Sequence, residues 1–240
     1  MSAFATKLLQ REQVAEGTVA FHFERPAAFE FAAGQSIDLT LIDPPQTDAE
    51  GDTRALSLAS APCESRLTVA TRLRDTAFKR VLKTLQPGAE VRIEGPFGSM
   101  TLHRKPARPA VILAGGIGIT PFRSMVRQAT KEETAHRIFL FYSNRRPEDA
   151  AFLNELQEMA GQNPGLTLVP TMTNLEKSNT PWSGETGYIS RELLGKFVGD
   201  FAEPIFYTAG PPALVAAMKH MLADAGVEED DINSEDFAGY

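Results

Sequence analysis

Residues 109–121 read P-A-V-I-L-A-G-G-I-G-I-T-P, and this stretch decides the fold. Its first half, 110–114, is a short unbroken apolar run, the pattern of a strand buried on both faces. Gly115, Gly116 and Gly118 follow, where the backbone can take positive φ and let another group approach closely. Thr120 and Pro121 then read as the N-cap and first residue of a helix running into F-R-S-M-V-R-Q-A. A strand, a glycine-rich turn and a helix N-terminus direct unpaired N–H groups and a helix dipole at one point, which suits a phosphate. The expectation is the pyrophosphate site of a dinucleotide. The turn is not the G-x-G-x-x-G fingerprint, and no acidic residue closes the next strand, so a tight βα turn serving only packing is the other reading.

Downstream, strand and helix patterns alternate: strands at 137–142, 166–172 and 204–209, helices at 149–159, 191–198 and 213–225. Such βα alternation predicts an α/β doubly wound parallel sheet whose ligands sit at the carboxyl ends of the strands. The strand ends 115–120, 143–146, 173–174 and 209–212 become candidate site positions. The last segment, E-E-D-D-I-N-S-E-D-F-A-G-Y, reads either as a frayed acidic tail or, because it carries Phe237 and Tyr240, as an ordered closing element.

Upstream, residues 4–93 are β-rich with frequent turn signals. Segments 7–12 and 18–24 form a hairpin pattern across 15–17, and strands are expected at 35–43, 54–60, 66–73 and 90–94. Residues 44–52 read as a polar loop, and 95–102 as a turn with a strand-like exit. Only 76–85 has helical spacing, with Phe78, Val81, Leu82 and Leu85 on one face. Short antiparallel strands with one helix suggest a small closed antiparallel β-barrel with a single cap. The boundary falls near H-R-K-P-A-R-P (103–109), giving a barrel domain over 1–104 and an α/β domain over 105–240. Charge follows that division: residues 1–108 carry 14 basic and 13 acidic side chains, residues 109–240 carry 10 and 18.

Within the barrel, R-A-L-S-L-A-S (54–60) offers an arginine able to pair bidentately with a pyrophosphate, and small residues that let a flat ring near the backbone. R-L-R-D-T-A-F-K-R (72–80) opens a helix at Asp75-Thr76 whose N–H groups can receive phosphate. Taken singly, these are equally a plain strand and a plain capped helix with a solvated basic face.

The totals exclude several classes. A net charge of −7 argues against nucleic acid. No apolar run reaches membrane-span length and no signal-peptide core opens the chain, so a cytoplasmic protein without membrane insertion is expected. The single cysteine, Cys63, rules out an internal disulfide and a Cys₄ iron–sulfur cluster within this chain. His22, His103, His136 and His220 share no metal-ligand spacing, so no metal is expected.

The order R-x-x-S-x-x-S, G-P-F-G, G-G-I-G-I-T-P, Y-S-N-R-R, A-G-P-P and a C-terminal aromatic resembles the ferredoxin–NADP reductase family across essentially the whole chain. The resemblance implies a flavin-binding barrel followed by a nicotinamide-nucleotide domain, with FAD between them. By position it implies that Arg54 pairs with the flavin phosphates, that Ala55 and Leu56 line the ring, and that Ser57 bonds near N5. The backbone at Thr71, Arg72 and Leu73 and the N–H groups of Thr76, Ala77 and Phe78 hold the pyrophosphate and adenine side. Gly115, Gly116, Gly118, Ile119 and Thr120 hold NAD(P)H. Ser143, Arg145 and Arg146 lie by its adenosine ribose, Gly210 and Pro211 shape the nicotinamide pocket, and Phe237 or Tyr240 covers the flavin face. The chain has Leu56 where the family usually stacks an aromatic, and Ala209 where it often has a cysteine.

The implied activity is that of an NAD(P)H-dependent oxidoreductase. Hydride passes to flavin N5, and electrons then go to a separate acceptor: a ferredoxin, a flavodoxin, a haem protein or a small molecule. Ser57 and Glu235 are the candidate catalytic residues, Glu235 as a proton relay or else a solvated carboxylate. A basic stretch of Arg72, Arg74, Lys79, Arg80 and Lys83 would suit docking of an acidic carrier. The Arg145-Arg146 pair leans toward NADPH, whereas Glu148 and Asp149 would repel a 2′-phosphate. A non-catalytic nucleotide-binding subunit and a free-flavin reductase are the rival readings.

Overall fold

A computed structural model describes residues 2–237. Tyr240, one of the two aromatics expected over the flavin, lies outside the described residues. The N-terminal half forms an antiparallel sheet of β1 (Ser2–Ala15), β2 (Thr18–Glu24), β3 (Ser36–Leu41), β4 (Thr53–Ser57), β5 (Arg66–Arg72) and β6 (Glu90–Phe97), in the order β4-β3-β6-β1-β2-β5. An antiparallel bridge between Leu58 and Val69 joins the two outer strands and closes the barrel. Helix α1 (Ala77–Thr84) plugs one end, its Phe78, Val81 and Leu82 buried with Phe21, Ile37, Leu56 and Leu67. The Thr76 side chain accepts from Lys79 N at 3.3 Å, so the expected helix start holds.

The second sheet is parallel: β7 (Ala110–Gly115), β8 (Ile138–Asn144), β9 (Leu166–Met172), β10 (Glu185–Thr186), β11 (Ile205–Gly210) and β12 (Ile232–Asp236), in the order β10-β9-β8-β7-β11-β12. Every residue of β7 is buried, because helices cover both faces. Ala110, Ile112 and Ala114 pack toward α2 (Ile119–Lys131) and α3 (Leu153–Gln162). Val111 and Leu113 pack toward α4 (Arg191–Gly195) and α5 (Pro212–Asp224). The chain leaves β7 toward β8 on one side and returns through β11 on the other, which makes the β7/β11 ends the switch point of the sheet.

Several details differ from the sequence expectation. Thr120 is not the N-cap of α2: a 3₁₀ turn over Gly116–Gly118 runs straight into Ile119, and the Thr120 hydroxyl donates to Ile117 O at 3.0 Å. α3 begins at Leu153 rather than 149, because Pro147–Asp149 form a separate turn and Phe152 adopts a left-handed φ of 60°. β1 is longer than its hairpin segment since it pairs with both β2 and β6. β6 likewise continues through Phe97, where a turn is expected. The acidic tail is not frayed over 232–236 but adds a parallel strand beside β11.

The barrel meets the second unit along α2. The Ser124 hydroxyl donates to Ser60 O at 2.7 Å, and Cys63 N donates to Gln128 Oε1 at 2.9 Å. Arg123, 7% exposed, donates to Ala59 O at 2.8 Å and to both Glu64 oxygens at 2.6 and 3.1 Å.

Candidate functional site

Two clefts flank the turn after β7. The first, of about 980 Å³, lies between the barrel and the second sheet. One end gathers positive charge: Arg54 from β4, and Arg74 and Lys79 around the start of α1. Burial, with Arg74 and Arg54 close by, lowers the Lys79 pKa to about 8. The other end is small and apolar, with Ala55, Leu56, Ala70 and Ile117 in its walls and Ser57 beside Ser36. Leu56 is also part of the barrel core and only 4% exposed, so its side chain is fixed by packing. Thr71, Thr76 and Phe78 line this cleft as expected, whereas Leu73 packs against the barrel core.

The cationic end already holds anions. Arg54 Nη2 meets Glu50 Oε2 at 2.7 Å and Asp48 Oδ1 at 3.6 Å, while its Cζ lies 5.0 Å from the Phe78 ring centroid. Ala77 N donates to Asp48 Oδ2 at 2.8 Å, a bond that holds this carboxyl below its usual pKa. Two carboxylates therefore stand against the donors to which the resemblance assigns the flavin phosphates, so these donors are placed to take anions. Neither Asp48 nor Glu50 is marked by any motif.

The second cleft, about 460 Å³, opens at the carboxyl ends of β7, β8 and β11. Gly115, Gly116, Ser143, Arg145 and Pro211 line it, so the turn 115–120 is a shared wall: Gly115 and Gly116 face this cleft, Ile117 and Thr120 the first. Ile119 is buried in the core and faces neither. Gly210 fits only as glycine, since an added Cβ would lie 2.9 Å from Gly115 O at a φ of 151°. Asn144, 6% exposed, lies on the wall with its amide buried next to Tyr142. Tyr188, 80% exposed at the rim, offers a bare ring.

Arg145 and Arg146 part company. Arg146 is committed to Asp149 at 3.0 and 3.1 Å and to Glu16 at 2.8 Å, and does not line the cleft. Arg145 lines it with its side chain 61% exposed, 3.6 Å from Asp149. Arg72 also turns here and reaches Asp149 at 3.2 Å from the barrel side. Glu148 points elsewhere: its own N–H and those of Asn179 and Thr180, with the Ser178 hydroxyl, hold its pKa down to about 2. The basic stretch forms no common face, because Arg72 turns to the second cleft, Arg74 and Lys79 to the first, and Arg80 pairs with Asp75.

At the apolar end of the first cleft, β12 delivers Glu235 and then Phe237, whose N–H donates to Gly210 O at 2.9 Å. Among the described residues no group of three His, Cys, Asp or Glu side chains is placed to hold a metal, and no helix is long and apolar enough to cross a membrane.

The family profile described as the oxidoreductase NAD-binding domain matches residues 112–220, from inside β7 into α5. A ferredoxin–NADP reductase B from Sorangium cellulosum is 35% identical over 195 residues, which are 77% of this chain and 77% of that one. The chain belongs to the ferredoxin–NADP reductase family. A glycine betaine monooxygenase reductase subunit from Chromohalobacter salexigens is 29% identical over 92% of this chain, which spans 60% of that relative's length. In structure, a ferredoxin NADP⁺ reductase from Neisseria gonorrhoeae, with bound FAD and NADP, superposes with a TM-score of 0.82 at 22% identity, over 98% of this chain and 99% of that one. Both sheets are thus arranged as in this family.

Burial raises the Glu235 pKa above the usual 4.5. The folded chain then binds this proton more tightly than the unfolded chain, and the contribution to stability present at low pH is lost as pH rises through the folded pKa. Glu235→Gln is expected to be more stable than the wild type at pH 7 and equal to it below about pH 4, where both forms are neutral. Urea unfolding across this range measures it.

Proposed function

We propose that the chain is an NAD(P)H-dependent flavin oxidoreductase, with a flavin module over 1–104 and a nicotinamide module over 105–240, that hands electrons to a separate redox partner. One observation carries this reading: a single turn, 115–120, forms a wall of both clefts, so ligands held in them lie next to the same turn. In the first cleft Arg54 and the N–H groups that open α1 hold the diphosphate of FAD, and the small walls at Ala55, Leu56 and Ala70 receive the ring. Held by these residues, FAD would supply the capacity to take a hydride and to give up electrons singly or in a pair.

The chain's own part is to position and to exclude water. Ser57 lines the apolar end of the first cleft, Phe237 closes over that end, and Glu235 stands in its wall as a proton store. In the second cleft Gly116 lets the nucleotide approach the backbone, and Tyr188 offers a face to the purine. Arg145 is the cation available to a 2′-phosphate, whereas Arg146 is neutralised by Asp149 and Glu16. The acceptor, a ferredoxin, flavodoxin, haem protein or small molecule, is distinct from these two modules, whose single cysteine cannot build an iron–sulfur cluster.

Purified chain is expected to be yellow, or to turn yellow with added FAD, and to be bleached by NADH or NADPH tested side by side. A chain that takes up no flavin overturns the reading.

A further inference from the structure

We propose that Asp48 and Glu50 are a built-in competitor for the cofactor diphosphate, holding its seat in the cofactor-free chain and yielding it when the dinucleotide binds. The inference rests on the flavin reading of the first cleft and adds two residues that no motif marks. The seat has two halves, the Arg54 guanidinium and the first N–H of α1. Glu50 occupies one, at 2.7 Å, and Asp48 the other, at 2.8 Å from Ala77 N. Asp48 also reaches toward Arg54, at 3.6 Å, so the carboxylate pair spans the seat as a diphosphate would.

The loop that carries them is held by its backbone, while its two acidic side chains are open to solvent. It joins β3 to β4, and is flanked by Asp43 with φ 44° and Gly51 with φ 75°. The side chains of Asp48 and Glu50 are 34% and 67% exposed. Arg54 anchors the loop's end by donating to Glu50 O at 2.9 Å, Gly51 O at 3.3 Å and Thr53 O at 2.7 Å, and Gln46 accepts from Arg80 at 3.2 Å. Exchange replaces two negative charges with two negative charges, so the negative charge facing Arg54, Arg74 and Lys79 is the same in both states. The carboxylates thereby keep the cationic end from self-repulsion and, by the same contact, weaken the hold on FAD.

The test uses the full chain stripped of flavin, as wild type and as Asp48→Asn/Glu50→Gln, titrated with FAD and with riboflavin, which has no phosphate. The variant is expected to bind FAD about tenfold more tightly, the worth of one charge-assisted bond no longer broken, and riboflavin unchanged. Its flavin-free form is expected to melt at lower temperature than the wild type. Equal or weaker FAD binding overturns the proposal, as does an equal gain for riboflavin, which would mean that the carboxylates act on something other than the diphosphate. If neither protein takes up any flavin, the functional reading falls with it; if both bind FAD equally, only this inference falls. Should the double variant fail to fold, Glu50→Gln alone, at an exposed side chain, is expected to give the same direction with a smaller gain.

Discussion

Gly118→Ala is expected to lower the stability of the chain by about 3 kcal/mol and to abolish nicotinamide binding in whatever remains folded. The added Cβ would fall 2.2 Å from Ala209 O, 2.4 Å from its carbonyl carbon and 2.6 Å from Gly210 Cα. These are backbone atoms at the end of β11, not the tips of flexible side chains, so the strand end or the turn has to move. Both are walls of the clefts. The φ of Gly118 is −59°, open to any residue, so the requirement is for space and not for conformation. Gly116 is the matching control: its φ is 53° and nothing lies within 4 Å of where a Cβ would stand. Gly116→Ala is expected to cost about 1 kcal/mol from backbone strain alone, while its methyl projects where the nucleotide approaches. Urea unfolding and nucleotide titration of the two variants separate packing from binding.

Arg123→Ala is expected to cost about 3 kcal/mol, as for a buried charge stripped of its partner. Arg123 receives Glu64 from the barrel and Glu155 from α3, the latter at 2.5 and 3.0 Å, and its Cζ lies 5.4 Å from the Phe152 ring centroid. Without the guanidinium the two carboxylates face each other across the seam between the sheets. Burial works to raise the Glu64 pKa, and the hydrogen bonds and charge of Arg123 overcome it, leaving it lowered. A lowered folded pKa contributes stability above the unfolded value of 4.5 that is lost as pH falls through the folded one. The deficit of the variant is therefore largest near neutral pH and shrinks in acid. Because α2 starts at the shared turn, loosening this contact also displaces the second cleft from the first. The rate of flavin reduction is expected to fall more than nucleotide affinity does.

Much of this was legible in the chain itself, where local chemistry decides. The apolar run 110–114 has the pattern of a strand covered on both faces, and Thr76 caps α1 because its hydroxyl accepts from the N–H three residues on. The glycines at 115, 116 and 118 mark the turn, but only the fold shows that they serve different ends: Gly118 and Gly115 make room for β11 and α5, and Gly116 faces open space. What stayed hidden depends on partners distant in sequence. Arg145 and Arg146 are equivalent as neighbours, and diverge because Glu16 of the barrel reaches one of them. Strand β12 is polar at nearly every position, since it is an edge that pairs on one side only, and so it carries no alternation to read. Asp48 and Glu50 lie in a polar loop that any sequence reading leaves to solvent, until the loop folds back onto Arg54.

Two ligands meeting across the turn 115–120 is the claim on which the mechanism stands. Its direct measurement is anaerobic mixing of the FAD-loaded chain with NADH or NADPH bearing deuterium at C4, followed by absorbance of the flavin. The expected result is bleaching that is slower with the deuterated nucleotide and that Gly116→Ala impairs. A flavin that binds but keeps its colour in excess of both nucleotides would contradict it.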